Sequence, residues 1–215
     1  MNALAALEND VIFHVAEALR VPVLVLTMAA LAVVLVELGA FCVELVRRRR
    51  RDYGRLETAV THASAVLRER GDRASAQAIV GDVAWSAPMA STLDFLVAQW
   101  ALPGGEARMA KALADFDFGS LRRLERTRLL VRAGPALGLM GTLIPLSPAL
   151  AGLAAGDVQE LSENLRVAFS VTVLGLLVGA VAFGMSLVRD RLYGQDLSDL
   201  EFVANALTAG PEPRA

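Results

Sequence analysis

Long uncharged stretches divide this chain into alternating apolar and polar parts. Residues 22–46 are nearly all apolar and have Glu37 and Glu44 as their charged residues, and two later runs, 134–153 and 167–188, contain no charged side chain. About 20 apolar residues are needed to cross a bilayer as a helix. The pattern therefore predicts three transmembrane helices, at residues 21–46, 133–154 and 166–188.

The segments outside these spans have a helical pattern of their own. Apolar positions recur at helical spacing within residues 1–20, which predicts an amphipathic helix lying on the membrane surface. The region 47–132 is predicted to be mostly helical. One helix face in it is marked by Leu56, Val60, Ala63 and Leu67.

The rest of the polar part is predicted from its breakers. The Pro103-Gly104-Gly105 sequence interrupts the helical pattern, which resumes at Glu106 and leads into the second span as one long helix, with a break near Gly119 as an alternative. Residues 155–165 are predicted as an extracytoplasmic turn, and residues 189–215 as a C-terminal cytoplasmic helix and tail. The fold class is therefore an all-α integral membrane protein with long cytoplasmic helical extensions.

Arginine clusters orient the spans. Five consecutive arginines, Arg47 to Arg51, follow the first span, and further arginines flank the second and third spans at 122–132 and 189–191. Basic residues beside a span mark its cytoplasmic side. All three flanks predict an N-terminus outside the cytoplasmic membrane, and the region 47–132 and the C-terminus inside the cell.

Composition supports a membrane protein and excludes several other classes. The chain is 55% hydrophobic, with a mean hydropathy of +0.48 and a net charge of −2, which gives no drive toward nucleic acid. The single Cys42 excludes a disulfide scaffold and a cysteine zinc site, and His14 and His62 are too few for a histidine metal cluster. There is no nucleophile–base pair, HExxH motif or phosphate loop. We therefore expect no enzyme activity, metal or cofactor.

Small residues form a stripe on each of the last two spans. Such faces let helix backbones approach closely in lipid. The stripes are compatible with tight helix packing and also with lining a central space in an oligomer. Their members are Gly134, Gly138, Gly141, Pro145, Pro148 and Gly152 in one span, and Ala168, Thr172, Gly175, Gly179, Ala182 and Ser186 in the other.

Hydroxyl groups within the apolar runs are the candidates for an ion pathway. Pro145 cannot donate to the carbonyl of Gly141, so that carbonyl needs water, a side chain or an ion unless a simple kink satisfies it. Thr142 and Ser147 lie nearby. Thr142 is about 12 Å from the inner end of its span, and Thr172 is about 24 Å from the inner end of the next, at 1.5 Å per residue. The alternative for each threonine is a bond to the carbonyl four residues earlier in its own helix.

Carboxylates are absent from the last two uncharged runs. Proton transfer through a membrane usually involves a group that can titrate. Glu44 is expected to pair with the nearby arginine block, whereas Glu37 either faces another helix or takes part in conduction. If protons move through this protein, the titrating acid is expected on another polypeptide.

Two motifs resemble those of a known family. The sequence PALGLMGTLI, from Pro135 to Ile144, resembles the PxLGLxGTVxG signature of the MotA/TolQ/ExbB proton channel proteins. The sequence VAFSVTVLGLLVG, from Val167 to Gly179, is similar to their next signature, EALxxTxxGLxxA. The resemblance covers residues 121–205, and the order and spacing of the two motifs make it specific.

The resemblance implies a homopentamer whose second and third spans line a pore. Two copies of a single-span partner of the ExbD/TolR/MotB type occupy that pore, and an aspartate on the partner's helix carries the proton. By motif position, Thr142 and Thr172 match the polar pore threonines, and Gly138, Gly141 and Gly175 match the packing glycines. The implied function is the pore-forming subunit of an inner-membrane motor or energy-transducing complex that is driven by the proton motive force. The expected ion is H⁺, with Na⁺ as the alternative.

Some positions depart from the family pattern. Val167 stands where many relatives have a glutamate, and Pro145 where they usually have glycine. These differences favour a divergent branch nearer to ExbB/TolQ than to MotA. The competing interpretation is a non-conducting membrane scaffold or adaptor in which the threonines only pack.

Overall fold

A computed structural model describes residues 14–15, 17–48 and 52–208 of this chain. Most of the predicted surface helix 1–20, Arg49–Arg51 and the tail 209–215 lie outside the described residues. Helices dominate the described part and are numbered here in chain order. They are α1 (Arg20–Arg48), α2 (Tyr53–Arg70), α3 (Arg73–Gly81), α4 (Ala87–Gln99), α5 (Gly105–Ala154) and α6 (Val158–Thr208).

The prediction of an all-α membrane protein is confirmed in its main point. Within the described ranges, three helices are long and apolar enough to cross a membrane, namely α1, α5 and α6. Large apolar side chains of α1 such as Val25 and Val36 are exposed. An exposed apolar surface of this extent is typical of a helix that faces lipid.

Helices α5 and α6 are longer than the predicted spans. Helix α5 has 50 residues and runs through Gly119 without interruption, so the alternative of a break there is wrong. A single glycine costs a helix only about 1 kcal/mol, which its neighbours can offset. Helix α6 has 51 residues and continues past Val188 into the predicted C-terminal segment.

The described chain divides into two compact units. The first contains the described residues up to Ala40 together with Glu125–Leu187. Within it, α5 and α6 form an antiparallel hairpin whose turn is shorter than the predicted 155–165. Gly156 supplies the turn with a φ of +83°, and the Asp157 carboxylate accepts a hydrogen bond from the Glu160 backbone N–H at 2.9 Å. This cap allows α6 to begin at Val158.

The second unit contains Phe41–Leu124 and the described residues from Val188 onward. Its three short helices begin at N-cap side chains, Asp52, Asp72 and Ser86, each of which accepts a hydrogen bond from a backbone N–H of the first turn. The predicted face of α2 is buried and packs into one apolar core. That core also includes Val80, Leu93, Leu96, Met109, Leu200, Val203 and Leu207.

Candidate functional site

The small-residue stripes of α5 and α6 pack directly against each other. A Cβ atom placed on Gly175 would lie 2.5 Å from the carbonyl oxygen of Gly134 and 2.7 Å from the Cα of Gly138. A Cβ on Gly179 would lie 2.8 Å from the Cδ of Pro135. Real Cβ atoms do not make contacts this short, so the backbones approach closely only because these side chains are absent. Tight helix packing, one of the two compatible interpretations of the stripes, is therefore observed.

Thr172 lies at the centre of this helix contact. Its hydroxyl is 3.0 Å from the carbonyl oxygen of Ala168, four residues earlier in α6, and 3.2 Å from the carbonyl oxygen of Gly138 on α5. The single hydroxyl proton is shared between two acceptors or alternates between them. The bond within the helix that was considered as an alternative is present, and a bond across the helix pair accompanies it.

Thr142 lies one helical turn beyond Gly138 on α5. Its hydroxyl donates to the carbonyl of Leu139 at 2.7 Å, and the side chain is partly exposed. Four residues correspond to a rise of about 6 Å. Because Thr172 contacts Gly138, the two threonines lie closer along the helix axis than the predicted depths of about 12 and 24 Å suggested.

Thr142 and Thr172 lie close together along the helix axis because the two uncharged runs are offset along the hairpin. Gly134 faces Gly175 and Gly179, so α6 continues as an apolar helix beside residues of α5 that precede Gly134. In this antiparallel register the two uncharged runs overlap only where 134–144 lies beside 167–177. The overlap is about 16 Å long. Thr142 and Thr172 both lie within it, in the part of the hairpin where neither helix carries a charge.

Pro145 is buried, as Gly141 is, and α5 remains helical through both. Gly141 and Pro145 line a crevice of about 10 Å³ together with Arg20, Val23, Leu24, Ile144 and Val167. That volume is near the lower limit for one water molecule. Pro145 donates no hydrogen bond to the Gly141 carbonyl, and the crevice beside these two residues has room for at most one water molecule.

Ser147 does not join this group. Its side chain is exposed, whereas Pro145 and Ala149 on either side of it are buried. Ser147 also lies nine residues beyond Gly138, a rise of about 13 Å. The structure thus brings Thr142, Thr172 and the predicted glycines together, and leaves Ser147 on a different face of α5.

A buried ionic cluster in the second unit was missed by sequence reasoning. The Arg48 guanidinium donates to both carboxylate oxygens of Asp196, at 2.9 and 2.5 Å, and to the carbonyl oxygen of Leu192. It lies 3.8 Å from the ring centroid of Trp85, a cation–π contact. Glu44 is 3.5 Å from Arg48, so its predicted pairing with the arginine block is confirmed, and it is also 3.4 Å from Arg189.

Burial dominates the electrostatics of this cluster. Desolvation raises the pKa of Asp196 to about 6, although the guanidinium of Arg48 acts in the opposite direction. Asp196 lies eight residues past Val188, where the predicted third span ends. The sequence did contain a signal, because Asp196 stands four residues from both Leu192 and Leu200 in an otherwise apolar stripe. A charged residue within such a stripe indicates a buried partner.

Sequence reasoning also missed a polar pair in the first unit. Arg20 at the start of α1 donates to the side-chain oxygen of Asn164 on α6 at 3.0 Å, and Asn164 is buried.

Glu37, the candidate carboxylate in α1, is partly buried.

The α5–α6 hairpin and its central threonines define a class: an integral membrane protein whose glycine-packed helix pair carries hydroxyl groups within its uncharged runs. Residues 106–200 match the sequence model of the MotA/TolQ/ExbB proton channel family. The match covers nearly all of α5 and most of α6. The assignment made from the two motifs is thereby confirmed. No match was found among the curated proteins.

Proposed function

We propose that this protein is the pore-forming subunit of an energy-transducing complex in the inner membrane, driven by the proton motive force. The observation that carries the proposal is the position of Thr142 and Thr172. Both lie in the one stretch of the family region where two uncharged helices run side by side. Hydroxyl groups at that depth can accept and donate hydrogen bonds to an ion or to the group that carries it.

The proton-carrying acid is proposed to belong to a partner. The uncharged runs 134–153 and 167–188 contain no aspartate or glutamate. A single-span protein of the ExbD/TolR type, with one aspartate in its membrane helix, would supply the missing group. The hydroxyls of Thr142 and Thr172 would then solvate that carboxylate in its neutral and charged forms. The conducted ion is H⁺ in this proposal, with Na⁺ as the alternative.

Assembly and orientation are part of the same proposal. The family resemblance implies five copies around the partner, with the α5 and α6 spans toward the axis. The arginine-rich flanks of the spans favour an N-terminus outside and a cytoplasmic C-terminus. In this arrangement the second unit, with its own apolar core, lies in the cytoplasm.

Ion flux in liposomes tests the proposal. The neighbouring genes would be searched for a single-span protein with a membrane aspartate, and the chain would be reconstituted with that protein. A potassium diffusion potential would drive H⁺ inward, followed with an internal pH dye. We expect uptake only when both proteins are present. Changing the partner's membrane aspartate to asparagine should remove the uptake. A Na⁺ gradient with a Na⁺ dye distinguishes the two ions.

The scaffold interpretation makes the opposite prediction. If the two proteins co-purify as a complex and that complex conducts neither H⁺ nor Na⁺, the pore proposal is wrong and the threonines are packing residues.

A further inference from the structure

A groove of about 490 Å³ runs between α4 and the first part of α5 in the second unit. A Cβ atom on Gly119 would meet nothing within 4 Å, so the groove is open beside that residue. Grooves between two helices accept the side chains of a third helix. The lining residues are Pro88, Ser91, Thr92 and Phe95 of α4, and Arg108, Lys111, Ala112, Asp115, Phe116, Gly119, Ser120 and Arg123 of α5.

The opposite side of α5 presents an exposed apolar face. Leu121 lies nine residues from the groove residue Ala112, which is about two and a half turns of helix. Phe118 is 70% exposed and Leu121 is 41% exposed. Alanines and one carboxylate share this side of the helix. The surface, called here the Phe118 face, consists of Ala107, Ala110, Ala114, Asp117, Phe118 and Leu121.

Lipid does not cover the Phe118 face. Phe118 lies about 24 Å along α5 from Gly134, where the uncharged run begins. The exposed Phe169 and Phe183, by contrast, lie inside the uncharged run of α6. An exposed aromatic side chain outside the spans marks a surface for another protein. The charged residues between Phe118 and Gly134 are Arg122, Arg123, Glu125, Arg126, Arg128 and Arg132.

The groove and the Phe118 face lie at the same depth. Phe118 stands between the groove residues Phe116 and Gly119 in the sequence, so it lies within about 3 Å of both along the helix axis. Copies that stand side by side in one membrane keep equivalent residues at one depth. The Phe118 face of one copy therefore meets the groove of the next without a shift along the membrane normal.

The charges of the two surfaces are complementary. Arg108, Lys111 and Arg123 line the groove together with one carboxylate, Asp115, which pairs with Lys111. The groove therefore has an excess of positive charge. The Phe118 face carries the carboxylate of Asp117 and no cation. Opposite charge on facing surfaces favours one register of contact over others.

We propose that the Phe118 face of one copy packs into the α4–α5 groove of a neighbouring copy. This inference rests on the proposed function, which places several copies side by side. Phe118 and Leu121 enter the groove beside Gly119, and the alanines let the helices approach closely. Because the two surfaces lie on opposite sides of α5, each copy uses them with two different neighbours. Such a contact repeats around a ring and is not completed by a two-fold pair.

Cross-linking between differently tagged copies tests the contact. Full-length chains with Cys42→Ala, which lack the native thiol, would be co-expressed with two tags. One carries Ser91→Cys in the groove and the other Ala114→Cys on the Phe118 face, and both positions are exposed. A short bismaleimide should yield a covalent dimer with both tags. His62→Cys, at an exposed site of α2, replaces Ala114→Cys as the control and should give only background.

Absence of the doubly tagged product would overturn the proposal. That result is also expected if the chain's own tail 209–215, or another protein, fills the groove. A chain with both Ser91→Cys and Ala114→Cys then distinguishes a ring from a pair. We expect a ladder of products larger than a dimer, and a ladder that stops at the dimer would also contradict the proposal.

A substitution on the Phe118 face tests its contribution. Phe118→Glu should lower the yield of the doubly tagged dimer about tenfold, the change expected for the loss of one buried large apolar side chain. His62→Glu adds the same carboxylate to an exposed position of α2 and should leave the yield unchanged. Circular dichroism would check that the helix content of both variants is that of the wild type. An equal loss in the two variants would show that the Phe118 face is not the contact.

These results are separable from those on ion conduction. The cross-link requires neither the partner nor ion flux. A complex that conducts but whose copies do not cross-link overturns this contact and leaves the proposed function standing. A cross-linked ring that conducts no ion with its partner supports the contact and contradicts the pore proposal.

Discussion

The hydroxyl of Thr172 on α6 lies 3.2 Å from the carbonyl oxygen of Gly138 on α5, across the closest part of the helix pair. Gly138 allows this contact because a side chain there would meet the Thr172 backbone at 3.3 Å. The candidate ion-pathway residue is therefore also part of the packing of its own protomer, and substitutions must separate the two roles.

We expect Thr172→Val to preserve assembly and to abolish proton flux, because valine has nearly the same volume but no hydroxyl. Thr172→Ser keeps the hydroxyl and should retain most of the flux. The measurement is H⁺ uptake in liposomes with the partner present. Thr27→Val is the matched control, since Thr27 is a buried threonine of α1 that donates to Val23 of its own helix. Equal flux in Thr172→Val and wild type would remove Thr172 from the mechanism.

Thr142→Val should also abolish proton flux. The Thr142 hydroxyl bonds only to the carbonyl of Leu139 in the described contacts, and its side chain is partly exposed. The loss of packing should therefore be small, and we expect a stability change below about 1 kcal/mol. Flux and thermal unfolding would be measured on the same preparation. A Thr142→Val variant that has a lowered unfolding midpoint and yet conducts normally would contradict the assignment of Thr142 to the ion pathway.

Gly175→Ala should destabilise the α5–α6 hairpin by about 1–3 kcal/mol, because the added methyl group meets the backbone of Gly134 and Gly138. Backbone atoms cannot move aside as a flexible side chain can. Gly184→Ala is the control, since a Cβ there meets nothing within 4 Å. Thermal unfolding in detergent should show a lower midpoint for Gly175→Ala only. If both variants behave alike, close backbone contact is not what holds the hairpin together.

Arg48→Gln should lower the free energy of unfolding by about 3–5 kcal/mol, because it leaves Asp196 buried without its cation. Lys111→Gln, in an exposed pair with Asp115, should cost less than about 1 kcal/mol. The double variant Arg48→Gln with Asp196→Asn should cost less than the sum of the two single changes. Strict additivity would show that the pair does not interact.

The raised pKa of Asp196 predicts a pH dependence with a definite sign. The folded protein holds the Asp196 proton up to about pH 6, whereas the unfolded chain releases it near 3.8. Stability from this group is therefore fully present below about pH 4 and is lost as pH rises through about 6. Glu44, Arg48 and Asp199 act on the same carboxylate. The difference in unfolding midpoint between wild type and Asp196→Asn should fall across this interval, and a difference that rises with pH contradicts the assignment.

Local patterns predicted much of the fold. The apolar run of α1, the buried face of α2 and the breaker before Gly105 are properties of neighbouring residues, and each is confirmed by the structure. The continuity of α5 through Gly119 was harder to predict, because packing offsets a weak local preference. The early start of α6 at Val158 depends on the local cap from Asp157. Ser147 shows a related limit, since its hydroxyl lies both outside the overlap of the two uncharged runs and on an exposed face of α5.

By itself the sequence determined the three apolar helices, the two small-residue stripes and the family motifs, because these follow from hydropathy and helical period along one segment. Only the tertiary structure decided that Gly138 faces Thr172, and that the two uncharged runs overlap around both threonines. It also decided that Arg48 is paired with Asp196, 148 residues away. The physical reason is that the register of two packed helices depends on where their backbones can touch, and the partner of a buried charge depends on which distant side chain shares its site.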